Sequence, residues 1–411
     1  MPGPATICVP PPATETTLAW LAMALTPGLG PRRIQRAVRG LREPAELFRM
    51  PLTALEALQI PVASARFIAE GKARKAAEEE WQKINDSGCT ILTLADEEYP
   101  ERLREIFDPP PVLWVRGSRE LLSRPAIAVV GTRTPSPYGT GMAEMLSRDL
   151  AARRMVILSG MARGVDTAAH KGALSAGGRT VAVWGTGVDV VYPKENKRLA
   201  EEIILSGGAI VSEQPMGTFP APQNFPLRNR ILSGMSVGVL VVEAGEQSGT
   251  RITARCALEQ NRDVYAVPGN VTSRNAWGPN TLIKQGARLT ATWEDIWEEL
   301  PTQIRLELEG GRGERQGGQV DLFASSPASG EGVTASLLLQ GEAMLAPGPS
   351  LSAAESAVYG LLRMDQALHM EELLEQLEGQ VTSAEVFTAL FELELNNHIR
   401  QLPGKNYVRR M

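Results

Sequence analysis

The sequence has 411 residues, of which 43% are hydrophobic and 22% charged, and this composition is typical of a soluble globular protein with two or three domains. The net charge of −5 argues against a histone-like protein, but residues 301–411 carry 8 Lys/Arg and 15 Asp/Glu whereas residues 1–300 carry 34 and 32, which leaves room for a local basic groove. Three widely separated cysteines favour neither a disulfide framework nor a zinc site. Without a basic leader or a membrane-length apolar run, we expect a cytoplasmic protein that does not contact membranes.

The N-terminal part of the chain has a helical pattern. Residues 1–17 are rich in Pro and Thr and are expected to be disordered. From 18 to 87, apolar residues recur three or four apart, which predicts an all-helical domain. Within it, the segment PGLGPRRI (27–34) resembles the hairpin of a helix-hairpin-helix or SAM-like module, whose glycine-rich turn can present N–H groups to a DNA phosphate. A plain connection, with glycine ending one helix and proline opening the next, fits the same residues.

The central part, residues 88–300, alternates strand and helix patterns and predicts a doubly wound, Rossmann-like α/β sheet. Short apolar runs recur, and each ends in a turn of Gly, Ser or Thr, as at Gly131, Gly160 and Gly249. Ligands of open α/β sheets bind beyond the carboxyl ends of the strands, where glycine permits close approach and helix N-termini supply N–H donors. Because several such turns share one edge and two carry arginine, we expect a polyanion held along its backbone.

The C-terminal part has two sections. Residues 301–350, rich in Gly, Ser, Glu and Gln, predict a flexible linker. Residues 351–411 predict three helices and a β-hairpin, which together indicate a winged-helix domain. Its helices are acidic, whereas a helix that recognises DNA is typically basic. A role in protein binding or regulation is therefore at least as well supported as sequence-specific DNA binding.

Seven motifs follow one another in the central part of the chain. They are VVGTR (129–133), LSGMARGVDTAAH (158–170), VAVWGTGVDVVYPKEN (181–196), GGAIVSEQP (207–215), NFPLRNRILSGMS (224–236), VVEAGEQSGT (241–250) and VYAVPGN (264–270). In this unbroken order they resemble one family, the DNA-processing protein A family (DprA, also called Smf). The resemblance implies a non-enzymatic protein without cofactors that binds single-stranded DNA on its Rossmann domain, forms a homodimer through that domain, and loads the RecA recombinase in natural transformation.

The candidate DNA-binding residues combine cations, glycine turns and an aromatic ring. An arginine beyond a strand can bind phosphate in bidentate fashion or form a salt bridge, and an aromatic ring can stack on a base. We find no catalytic or metal-binding motif. The candidates are Gly131, Arg133, Ser159, Gly160, Arg163, Lys194, Asn196, Phe225, Arg228, Asn229, Arg230, Ser248, Gly249 and Thr250.

These residues suggest a specific arrangement. Arg133, Lys194, Phe225 and Arg228 are expected to line one groove, with phosphates on the turns of Gly131, Gly160 and Gly249 and on the N–H groups of Thr250 and Arg251. Arg228 and Arg230 cannot share one helix face, so one should meet the ligand and the other a carboxylate such as Glu213 or Glu243. Asp166 could cap the following helix or hold Arg163. The segment Ile283–Leu300, with Trp293 and Trp297, is a candidate dimer interface or closes the core.

Two other functions fit parts of the sequence. The fold resembles that of lysine-decarboxylase-like phosphoribohydrolases, but the turn EAGEQSGTRITA lacks the acid that follows their PGGxGTxxE signature. A nucleotide sensor or scaffold is a further alternative. The sequence has no Walker lysine and no complete G-x-G-x-x-G motif, so ATP hydrolysis and dinucleotide binding are disfavoured. His170 has no partner motif, and we expect a buried hydrogen-bonding histidine rather than a base.

Overall fold

The computed structural model describes residues 13–246, 248–310, 352–363, 368–377, 380–396, 398–402 and 406–409. Residues 1–12 and 311–350, which include most of the predicted disordered start and linker, lie outside the described residues. The chain divides into two compact units, Met1–Leu308 and Glu309–Met411.

The first unit begins with a helical domain. Its helices are α1 (Glu15–Leu25), α2 (Pro31–Arg39), α3 (Leu52–Ala57), α4 (Val62–Ala69) and α5 (Lys72–Ser87), with a 3-10 helix at Pro44–Arg49. The side chain of Thr14 caps α1, so ordered chain begins before residue 17, the predicted end of disorder. Every residue from Leu18 to Met23 is buried. Helix α1 is therefore a core element, and α2 follows it through a turn in which Gly28 has a φ of +77°.

A nine-stranded sheet confirms the Rossmann-like prediction. Its strands are β1 (Thr90–Thr93), β2 (Val112–Gly117), β3 (Ala126–Val130), β4 (Val156–Ser159), β5 (Thr180–Trp184), β6 (Ala209–Ser212), β7 (Gly238–Val241), β8 (Asp263–Ala266) and β9 (Arg288–Leu289). They lie in the order β1-β2-β6-β5-β4-β3-β7-β8-β9. The pairs β1–β2 and β2–β6 are antiparallel, and all other neighbouring pairs are parallel. After β3 the chain adds β4, β5 and β6 on one side and then returns to place β7 on the other side of β3, so the crevice where ligands bind in such sheets lies at the ends of β3 and β7.

Helices cover both faces of the sheet. They are α6 (Glu101–Arg104), α7 (Pro137–Ala152), α8 (Val165–Ser175), α9 (Lys197–Leu205), α10 (Asn224–Met235), α11 (Thr250–Glu259), α12 (Trp277–Lys284), α13 (Glu294–Trp297) and α14 (Thr302–Gly310). One face of the sheet packs against α7 and α8, and the other against α10 and α11, with apolar side chains filling each layer. None of the helices in the described part of the chain is both long and apolar enough to cross a membrane.

The end of the first unit corrects the predicted linker boundary. Residues 302–310 form α14, whose Ile304 and Leu308 are buried against the α7 side of the sheet. The predicted start of the linker at 301 is therefore wrong. Trp293 and Trp297 pack against the same core, and the Arg153 guanidinium lies 3.0 Å from the ring centroid of Trp293.

The second unit is a small winged-helix domain, as predicted. Its strands form an antiparallel sheet in the order β10-β12-β11, and β11 and β12 make the expected hairpin. Ser352 with Glu355 and Thr382 with Glu385 form capping boxes at two helix starts. The elements are α15 (Ala353–Leu361), β10 (Leu368–His369), α16 (Met370–Gln376), α17 (Ser383–Leu395), β11 (Ile399–Leu402) and β12 (Asn406–Arg409).

Candidate nucleic-acid interface

A cavity of about 740 Å³ opens at the carboxyl ends of β3 and β7, between the starts of α10 and α11. This is the crevice that the sheet topology marks for ligands. It brings together eight of the fourteen candidate residues, together with Asp166, Tyr192 and Asn275. The eight are Gly131, Arg133, Phe225, Arg228, Asn229, Ser248, Gly249 and Thr250.

Arg228 lies at the cavity with its guanidinium almost fully buried. Nη1 donates to the carbonyl oxygens of Gly160, at 2.7 Å, and of Val183, and Nε donates to Oδ1 of Asn229 at 3.2 Å. No residue in the described part of the chain accepts a hydrogen bond from Nη2. Burial lowers the pKa of Arg228 to about 10, so the group still carries its charge at neutral pH. The cavity thus contains a fixed cation with unused donor capacity.

Asp166 organises the loop between β4 and α8. Its Oδ2 accepts from the backbone N–H groups of Gly160, at 3.1 Å, and Ala162, at 3.2 Å. Burial raises the pKa of this carboxyl, and the charge of Arg228 opposes that rise. Both sequence-based roles for Asp166 are wrong, because it neither caps α8 nor holds Arg163. It fixes the turn on which Arg228 rests.

Glu243 fixes the neighbouring loop after β3. Its carboxylate accepts from the backbone N–H of Ser136 at 2.8 Å, from the Ser136 hydroxyl at 2.6 Å and from Asn275 Nδ2 at 3.3 Å. Its carbonyl oxygen accepts from the N–H of Thr132 at 2.7 Å. Glu243 is therefore not an arginine partner. Arg133, on the loop that it holds, is exposed and has no hydrogen bond or ion pair with any described residue.

An aromatic pair forms one wall of the cavity. The rings of Tyr192 and Phe225 lie 5.6 Å apart between centroids at an angle of 40°. Phe225 also covers Gly185, where a Cβ would lie 3.1 Å from the ring. Tyr192 was not among the candidate residues. The signal that could have found it is its place in the turn after β5, at the same sheet edge.

Arg230 points away from this cavity. It bonds both carboxylate oxygens of Glu213, at 2.6 and 2.8 Å, and Oδ2 of Asp108 at 3.0 Å. The prediction that one of the two arginines pairs with Glu213 is confirmed. Arg230 lines a separate cavity of about 680 Å³, so the structure offers no reason to keep it among the DNA contacts.

Five further candidates lie outside the cavity. The Ser159 hydroxyl donates to the carbonyl of Val129 at 2.7 Å, and Asn196 Nδ2 donates to the carbonyl of Met161 at 2.9 Å. Gly160 is covered by the Arg228 guanidinium, Arg163 pairs with Glu195, and Lys194 is exposed. The predicted single groove is therefore incomplete, because the cavity unites Arg133, Phe225 and Arg228 without Lys194.

The start of α11 differs from the prediction. The N–H of Thr250 donates to Oγ of Ser248 at 3.2 Å, and the N–H of Arg251 donates to the Ser248 carbonyl at 3.1 Å. Both N–H groups therefore already donate to Ser248. In this conformation they cannot bind the phosphate that the sequence led us to expect there. A Cβ on Gly245 or Gly249 would meet nothing within 4 Å, so this loop leaves open space.

His170 is a buried structural residue, as expected. Its Nδ1 lies 2.7 Å from Oγ1 of Thr180, which donates to the carbonyl of Ile157 at 2.7 Å. The Thr180 hydroxyl oxygen therefore accepts a hydrogen bond from the N–H at Nδ1. Burial, together with the charge of Arg228, lowers the pKa of His170 to about 3. Among the described residues, no group of three or more His, Cys, Asp or Glu could hold a metal ion.

Together these features define a Rossmann-type protein with an arginine-lined, aromatic-walled cavity at the switch point of its sheet. The family model described as DNA recombination-mediator protein A matches residues 90–301, and the one described as DprA winged helix domain matches residues 342–405. The chain therefore belongs to the DNA recombination-mediator protein A family, which confirms the resemblance of its motifs.

Known relatives agree over most of the chain. Protein Smf of Escherichia coli is 36% identical over 348 residues, covering 82% of this chain and 81% of that protein. DNA processing protein DprA of Bacillus subtilis is 42% identical over 217 residues, covering 53% and 73%. The X-ray structure of DNA processing protein A from Streptococcus pneumoniae has a TM-score of 0.61 at 34% identity, covering 70% of this chain and 99% of that chain.

Proposed function

We propose that this protein is a non-enzymatic mediator of DNA recombination that binds single-stranded DNA in the cavity between α10 and α11. One observation carries the proposal, namely that the exposed Arg133 lines the same cavity as Arg228, whose Nη2 donates to no described residue. Asp166, the one carboxylate among the described residues that line it, already accepts two backbone N–H groups. The cavity therefore offers two cationic side chains with hydrogen-bond donors and one carboxylate that is already hydrogen-bonded, which favours an anionic ligand.

The aromatic wall supports a nucleic acid with accessible bases. A base that stacks on Phe225 or Tyr192 contributes about 1–3 kcal/mol, and such stacking tolerates every base. In a duplex the bases are already stacked on one another. We therefore place a phosphate at Arg133 and an unpaired base against the Phe225–Tyr192 wall, with the strand continuing over the sheet edge.

Two further parts of the proposal concern partners. We propose that the bound strand is passed to the RecA recombinase and that two copies of the chain associate through the Rossmann unit, joining two binding sites on longer strands. Family membership supports both. Sedimentation equilibrium tests self-association, and strand exchange by the recombinase on protein-coated DNA tests the transfer.

The experiment for the cavity is fluorescence anisotropy with labelled single-stranded and duplex oligonucleotides of several lengths, across a salt series without nucleotide or metal. We expect tight, length-dependent and salt-sensitive binding with preference for single strands. Weak binding without strand preference would overturn the proposal. Saturable binding and cleavage of a mononucleotide would instead favour the phosphoribohydrolase alternative.

A further inference from the structure

Helix α2 and the residues after it present an unusual concentration of positive charge. Arg32, Arg33, Arg36, Arg39 and Arg42 are all exposed, and no Asp or Glu occurs between residues 27 and 42. Since an α-helix has 3.6 residues per turn, Arg32, Arg36 and Arg39 share one face of α2. We call these three residues the arginine stripe. The buried face of the helix carries Ile34 and Ala37.

Neutral groups orient these arginines. The guanidinium of Arg32 lies 3.5 Å from the ring centroid of Phe107, and Nη1 of Arg36 donates to Oε1 of Gln59 at 2.6 Å. Within the described part of the chain, no carboxylate forms an ion pair with any arginine of the stripe. Arg32 and Arg36 are thus held in place by neutral groups, while the charge of the stripe stays uncompensated among the described residues.

Helix α5 of the same domain shows the opposite arrangement. Lys72, Arg74, Lys75 and Lys83 each pair with a glutamate within 4 Å. Like charges four residues apart on a helix repel one another, and an acidic chain has carboxylates available to relieve that repulsion. Within the described residues no such ion pair forms with the stripe, which indicates that an external anion is its partner.

We propose that the arginine stripe binds the phosphate backbone of duplex DNA, as a second nucleic-acid surface that does not depend on the cavity. Guanidinium groups match phosphate in bidentate geometry. The nine residues of α2 extend about 13 Å, a length over which a duplex presents several phosphates on each strand.

Two observations favour duplex over other anions. Helix α2 carries no aromatic side chain for base stacking, and the Arg32 guanidinium occupies one face of the neighbouring Phe107 ring, although Phe107 is 69% exposed. Protein interfaces rely on buried apolar anchors, and no large apolar side chain of α2 is exposed. The stripe therefore fits a surface that offers phosphates alone.

The test compares two triple variants of the full chain. The stripe variant is Arg32→Gln/Arg36→Gln/Arg39→Gln. The control is Arg124→Gln/Lys171→Gln/Arg255→Gln, which removes the same charge at exposed positions. We expect only the stripe variant to lose duplex affinity, with the slope of log K against log salt less steep by about 0.9 per lost phosphate contact, or about 2.7 in all. Its affinity for single strands should match the wild type.

Two more variants keep the test decisive. Arg39→Gln alone removes an exposed side chain that forms no hydrogen bond with any described residue, so we expect the fold to be preserved and the duplex slope to fall by about 0.9. The Arg→Lys triple keeps the charge and should keep most of the slope. Equal duplex affinity and slope in the stripe and control variants would overturn the proposal, as would a wild-type chain that does not bind duplex. Because single-strand binding is measured on the same proteins, failure of the cavity proposal is seen separately.

Discussion

The guanidinium of Arg228 lies directly against Gly160, a residue 68 positions earlier in the chain. A Cβ added to Gly160 would overlap Nη1, Nη2 and Cζ of the arginine. The glycine therefore makes room for the cation, and its carbonyl oxygen holds Nη1 at 2.7 Å. The charge at the cavity depends on both residues although only Arg228 lines it.

Gly160→Ala should displace the Arg228 guanidinium from this position. Loss of a charged hydrogen-bonding group contributes about 1.5–3 kcal/mol, so we expect single-strand affinity to fall about tenfold or more. Overpacking should also lower the free energy of unfolding by about 1–3 kcal/mol. Anisotropy and urea unfolding measure the two effects.

The matched control is Gly360→Ala on α15, where a Cβ would meet nothing within 4 Å. Alanine favours a helix interior over glycine by about 1 kcal/mol, so this variant should lose no stability. Wild-type DNA affinity in Gly160→Ala would show that the position of Arg228 does not matter for binding.

Phe225→Leu tests the aromatic wall. If a base stacks there, binding should weaken by about 1–3 kcal/mol for single strands. Phe219→Leu is the control, because Phe219 is 77% exposed and does not line the cavity. Equal affinities of the two variants would rule out stacking on Phe225.

Because His170 is buried, we predict that the free energy of unfolding falls at acidic pH. Its folded-state pKa of about 3 lies below the ordinary value of 6.5, so the unfolded chain binds a proton more readily. The free energy of unfolding should therefore fall as pH drops below 6.5, by up to about 1.4 kcal/mol per pH unit until about pH 3. Asp166 has the opposite effect. Because its pKa is raised in the folded state, protonation of Asp166 as the pH falls stabilises the folded state relative to the unfolded chain. This effect is confined to the pH range in which Asp166 titrates.

Urea unfolding of wild type and His170→Asn at pH 7 and pH 5 isolates the histidine. Asparagine can keep a donor to Thr180 but does not titrate. We expect a smaller loss of stability between the two pH values in the variant. An identical loss in both proteins would assign the pH dependence to other groups.

Asn196 and Lys194, adjacent in the same motif, should differ in their effects. Asn196 Nδ2 bonds the Met161 carbonyl and Oγ1 of Thr167, both at 2.9 Å, so Asn196→Ala leaves buried acceptors without a donor and should cost about 1–3 kcal/mol of stability. Lys194→Ala, at an exposed position, should change stability by about 0.5 kcal/mol or less. Thermal unfolding of the two variants measures this difference. Equal unfolding midpoints for Asn196→Ala and Lys194→Ala would contradict the structural role of Asn196.

Local sequence patterns predicted the central strands and the C-terminal β-hairpin. Apolar runs such as AIAVV and TVAVW became central strands β3 and β5, because buried parallel strands need no polar alternation. The β-hairpin predicted within residues 351–411 is formed by β11 and β12. The order of the motifs was enough to predict the family.

Long-range side-chain contacts could not be predicted in this way. Nothing near Arg228 in sequence indicates that Gly160 accommodates it, and nothing near Ser248 shows that its hydroxyl and carbonyl occupy the first donors of α11. Helix α14 was missed because the Gly- and Glu-rich composition around it outweighed the spacing of Ile304 and Leu308, which meet the core only in three dimensions.

The most direct measurement is the salt dependence of single-strand binding by Arg133→Gln and Arg124→Gln. The two arginines flank β3 at opposite ends and both are exposed, but only Arg133 borders the cavity. We predict that Arg133→Gln weakens binding and reduces the slope of log K against log salt by about 0.7, the value of one single-strand phosphate contact, while Arg124→Gln leaves both unchanged. Equal slopes and affinities in the two variants would contradict the placement of the strand in this cavity.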